Sequence, residues 1–68
     1  MKEHSITHSM NRQQEHDFLE QLFKSQVLIG NVYVDYFGVI YTDKLCDCIL
    51  VAKQIRNNGY KAKTHLHI

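Results

Sequence analysis

Proline is absent from this chain, and so is any repeat, low-complexity tract or Gly/Ser-rich stretch that would mark a linker or a second domain. No run of ~18 apolar residues is present, which predicts no membrane-spanning helix. The start of the chain, Met1-Lys2-Glu3-His4, lacks the apolar stretch of a secretory signal. The expected location is therefore the cytoplasm. Two cysteines, Cys46 and Cys48, are too few for a disulfide scaffold in a reducing compartment. A net charge of +1 is too small to argue for non-specific DNA binding from total charge. There is no Gly-rich phosphate loop and no nucleophile–base–acid set, so no catalytic residues and no enzyme activity are expected.

What is present fits a folded domain: 44% apolar and 22% charged residues. A chain of 68 residues is one domain at most. It buries only about 60% of its unfolded surface, so its core is thin and a partner subunit would add stability. Homodimerisation is accordingly one expectation.

Residues 1–10 are polar apart from Met1, Ile6 and Met10, and read as a flexible tail before a domain over 11–68. Asn11 and Gln14 have capping-box spacing for a first helix. Phe18, Leu19, Leu22 and Phe23 form its apolar stripe, with Glu15 on the same stripe one turn earlier. Val27–Tyr41 is rich in β-branched and aromatic residues, which reads as two strands, Val27–Val34 and Val39–Thr42. Asp35-Tyr36-Phe37-Gly38 suits a type I turn closed by a glycine bulge, placing Tyr36 and Phe37 at the tip; a turn at Gly30-Asn31 is the alternative. Thr42 or Asp43 would cap a second helix running to about Asn58. Its core face holds Leu45, Cys48, Ile49, Val51, Ala52 and Ile55, while Cys46, Asp47 and Leu50 lie outward. From Tyr60 to Ile68 apolar and polar residues alternate, so a final strand turns Lys61, Lys63, His65 and His67 to one side. The expected fold is α+β, helix–hairpin–helix–strand (αββαβ), with a three-stranded sheet in order 2-1-3 and both helices on one face.

His65-x-His67 sets two imidazoles about 7 Å apart on one strand face. A third ligand would have to come from elsewhere (His4, His8 or His16), and none is placed by the pattern, so no metal or other cofactor is expected. Cys46-x-Cys48 points two thiols roughly 200° apart on a helix, which suits neither a shared metal nor a disulfide.

Two surfaces remain. Tyr36, Phe37 and Leu50 lack evident burial, as interface anchors do. Arg56, Lys61 and Lys63, with Tyr33 on the open sheet face, suit an acidic partner, or stacking and neutralising a single strand of RNA or DNA. The leading expectation is a non-enzymatic protein-binding module that masks a partner of unspecified identity. This is also the profile of small phage or mobile-element inhibitors, such as anti-CRISPR and polymerase-binding proteins. The alternative is a small RNA- or DNA-binding domain.

Overall fold

The computed structural model describes residues 3–66. Six elements follow one another: β1 (His4–His8), α1 (Arg12–Lys24), β2 (Val32–Val34), β3 (Ile40–Thr42), α2 (Leu45–Asn57) and β4 (Ala62–His65). The strands form one antiparallel sheet in the order β2-β3-β1-β4. This β-α-β-β-α-β arrangement is the split β-α-β topology.

The fold is α+β with two helices as expected, but the sheet has a fourth strand. Residues 4–8 are no tail: they form a central strand between β3 and β4. The final strand therefore lies beside β1, and not beside the first hairpin strand as the order 2-1-3 required. Alternation along β1 is concealed because its inward residues are His4, Ile6 and His8, with one apolar side chain among three. Both flanking histidines are mostly buried, so the apolar period that marks a half-buried strand is missing.

Helix α1 begins as its sequence predicts. Asn11 Oδ1 accepts from the Gln14 N–H at 2.8 Å, and Gln14 Oε1 accepts from the Asn11 N–H at 3.0 Å. Leu19 and Leu22 are buried and Phe18 half-buried, whereas Phe23 is half exposed. Helix α2 contributes Cys48, Val51, Ala52 and Ile55 to the same core, together with Ile6 and Ile40.

Three other expectations along α2 change. Leu45 and Ile49, expected in the core, are exposed, and Leu50, expected outward, is half-buried. The N-cap is Lys44, with no side-chain bond, and not Thr42 or Asp43. Asp47, expected outward, is 1% exposed. Its carboxylate accepts the Ile29 N–H at 2.9 Å and the Gly30 N–H at 2.7 Å, securing the loop into β2. That loop use of Val27–Asn31 shortens the first hairpin strand to three residues. Gly30 sits there under Asp43, where an added Cβ would collide with Asp43 Oδ1. The alternation of the final strand holds through Lys63 and His65, but Leu66 is partly exposed; His67 and Ile68 lie outside the described residues.

Candidate binding surface at the hairpin tip and open sheet face

The turn at Asp35–Gly38 forms as its residues predict. The Gly38 N–H donates to the Asp35 carbonyl at 3.1 Å, and Gly38 takes φ of +88°, a conformation glycine adopts without a Cβ penalty. Tyr36 and Phe37 are 86% and 85% exposed, the most open large hydrophobic side chains among the described residues. Their rings meet edge to face, with centroids 5.5 Å apart.

Their backbone is nevertheless braced from two sides. Asp35 Oδ1 accepts from the Phe37 and Val39 N–H groups, both at 2.9 Å, and Oδ2 accepts from the Tyr41 hydroxyl at 2.9 Å. From α1, the Arg12 guanidinium donates to the carbonyls of Asp35 and Tyr36. Arg12 is itself paired with Glu15 at 3.1 Å, and Glu15 accepts from His8 Nε2 at 2.7 Å. His8 Nδ1 accepts the Met10 N–H at 3.1 Å, which assigns the ring proton to Nε2 and leaves neither nitrogen free. The chain β1–His8–Glu15–Arg12–tip thus ties the exposed aromatics to the middle of the sheet. None of Arg12, Glu15, His8 and Asp35 stood out in the sequence as a binding residue; Asp35 was legible only as a turn former, His8 only as a conceivable metal ligand, and Glu15 only as a carboxylate on an apolar stripe.

Desolvation acts to raise the pKa of Asp35, but the hydrogen bonds from Val39, Tyr41, Phe37 and Gly38 outweigh it and hold the carboxyl below its ordinary value.

One row of side chains crosses the uncovered face: Tyr33 opposite Tyr41, Tyr41 opposite Ser5, Ser5 opposite His65. Tyr33 and Tyr41 stack at 5.1 Å and 20°. The Tyr33 hydroxyl donates to Glu3, and that bond above all pushes its pKa up to about 12. Tyr41 is raised likewise by its bond to Asp35.

The expectation that Tyr33 adjoins Lys61 and Lys63 fails on strand order. Tyr33 is on the edge strand β2, and Lys63 is on the opposite edge β4, three strand spacings or about 14 Å away. The face is therefore divided into an aromatic half with Glu3 and Asp35, and a basic half with Lys63 and His65. Arg56, Lys61 and Lys63 do gather around the start of β4, where Arg56 donates to the Ala62 carbonyl at 3.2 and 2.9 Å. Antiparallel pairing also brings the start of β4 to the same end of the sheet as the hairpin tip. A shallow depression lined by Phe37, Thr7 and His8 adjoins another lined by Thr7, His8, Lys61 and Lys63. Leu50, midway along α2 in the helical layer opposite this face, does not join the tip.

Among the described residues no three His, Cys, Asp or Glu side chains converge as metal ligands, and no helix is long and apolar enough to cross a membrane. No family model, curated protein or solved structure matches this chain. A split β-α-β topology serves many unrelated activities, so function has to be read from the surface itself.

Proposed function

We propose that this protein is a non-catalytic protein-binding module, of the inhibitor or adaptor kind, that masks a partner's surface using Tyr36 and Phe37 as anchors. The observation supporting this is an aromatic pair displayed to solvent on a backbone braced by Asp35 and Arg12. Aromatic anchors supply most of the energy at protein interfaces, and a loop already held in shape loses little entropy on binding. Lys61 and Lys63, at the same end of the sheet, add attraction for an acidic rim on the partner.

The test is co-purification from native-host lysate with wild type and a Tyr36→Ala/Phe37→Ala variant. The variant should keep its far-ultraviolet circular dichroism and lose the captured partner, with affinity reduced at least ~30-fold. Unchanged capture by the variant, or no capture by the wild type, contradicts the reading.

The second reading, single-stranded nucleic acid on the open face, rests on the stacked Tyr33–Tyr41 pair. Glu3 and Asp35 beside that stack oppose a phosphate backbone. Polynucleotide binding that is steeply salt-dependent and lost on Lys61→Glu/Lys63→Glu would favour it instead.

A further inference from the structure

The two edges of the sheet are finished differently. On β4, the Ser9 N–H donates to the Lys61 carbonyl at 3.1 Å, so the odd-numbered residues bond to β1 and the even-numbered ones face outward. The outward carbonyl of Ala62 is covered by the Arg56 guanidinium. Arg56 thus covers part of this edge, while the Thr64 main-chain groups remain outward.

On β2, the Asp35 N–H donates to the Val39 carbonyl at 3.1 Å and the Asp43 N–H to the Asn31 carbonyl at 3.3 Å. By the same alternation Tyr33 bonds to Tyr41, and the main-chain groups of Val32 and Val34 point away from the sheet. Among the described residues nothing meets those groups. Beside this edge runs a groove of about 460 Å³ between β2 and α1, lined by the apolar Leu19, Phe23 and Val34 among more numerous charged and polar side chains. Ile29, on the loop pinned by Asp47, is 74% exposed just before β2.

We infer that this edge is a homodimer interface, in which β2 of a second copy pairs antiparallel with β2 about a two-fold axis through Tyr33. The register follows from the outward groups. With Tyr33 opposite its own copy, Val32 of each chain faces Val34 of the other. These are hydrogen-bonding pairs, two of them with two bonds each, so every outward donor and acceptor of Val32 and Val34 is satisfied. Such self-complementarity is what an isologous contact requires. It also doubles the tyrosine stack across the open face, and brings two copies of the Leu19–Phe23–Val34 groove together on the helical side.

Charge does not oppose the contact. Of the carboxylates lining the groove, Glu15 is paired with Arg12 and His8, Glu20 with Lys24 at 3.7 Å, and Asp35 accepts from its own hairpin's N–H groups and the Tyr41 hydroxyl. The result is one continuous eight-stranded sheet, with the two hairpin tips at opposite ends. A module with one anchor would become one that bridges two partner sites.

Sedimentation equilibrium of the full chain tests the inference. The wild type should show a concentration-dependent dimer. Among main-chain groups Val34→Pro removes only an outward N–H, because Tyr33 and Asp35 carry the bonds to β3, and proline is tolerated on edge strands. It should weaken association at least ~30-fold with the monomer fold retained. Phe23→Glu, at a half-exposed groove position, should weaken it also and carries the test if the proline variant does not fold. Lys63→Glu, on the other edge, should leave association unchanged. A wild type that is monomeric up to ~1 mM overturns the inference. So does a dimer indifferent to both groove-side substitutions.

Discussion

Asp35 spends both carboxylate oxygens on its own hairpin, so its ionisation and the shape of the tip are one equilibrium. Its folded pKa lies below the ordinary 3.8. The stabilisation this represents is complete above the unfolded value and is lost as pH falls through the folded one. Carboxyl-carbon NMR should show Asp35 titrating below the ordinary aspartate range, with the Phe37 and Val39 amide shifts following the same curve. Asp35→Asn should abolish that acid dependence. Titration at or above 3.8 would separate the carboxylate from tip order. Asp47 performs a comparable service for the loop before β2, but in the interior. Asp47→Ala leaves two backbone N–H groups unpaired, and should cost roughly 1–3 kcal/mol, read as a lower thermal midpoint. A change within about 0.5 kcal/mol would mean that water replaces the carboxylate there.

At the level of elements, α1 and the β2–β3 turn are local structures with local causes. A reciprocal cap starts the helix, and an aspartate with a glycine three residues on closes the turn. Strand β1 has no such cause. It is held by pairing with β3 on one side and β4 on the other, and by Ile6, which is fully buried between them. Ile6→Ala should therefore cost about 2–5 kcal/mol, a large share of what so small a core provides. Chemical denaturation measures this directly; a loss below about 1 kcal/mol would be inconsistent with a central strand.

The whole molecule carries its candidate chemistry on two separate places. The tip end of the sheet, proposed as the partner-binding surface, carries Tyr36, Phe37, Lys61 and Lys63, while the β2 edge, proposed as the seat of a second copy's strand, carries main-chain groups that nothing meets among the described residues. The separation makes the two readings independent. Tyr36→Ala/Phe37→Ala should abolish partner capture without altering sedimentation, and Val34→Pro should do the reverse apart from any avidity contribution. The proline variant then binds through one tip in place of two.

Sequence alone determined the features whose causes lie within a few residues. These are the capping box at Asn11, the preferred Asp35–Gly38 turn with its two exposed aromatics, the burial of Cys48, Val51, Ala52 and Ile55 on α2, and the outward lysines of the last strand. Tertiary structure decided whatever depends on which segments meet. A strand with histidines at two of three inward positions shows no apolar period, so β1 became visible only through its neighbours. With β1 in the centre, Tyr33 and Lys63 were driven to opposite edges, and His8 came within reach of Glu15. Asp47 reads as a surface charge until the loop that needs its two oxygens folds over it. Local preference is written residue by residue, whereas partners for buried polar groups exist only once the chain has closed on itself.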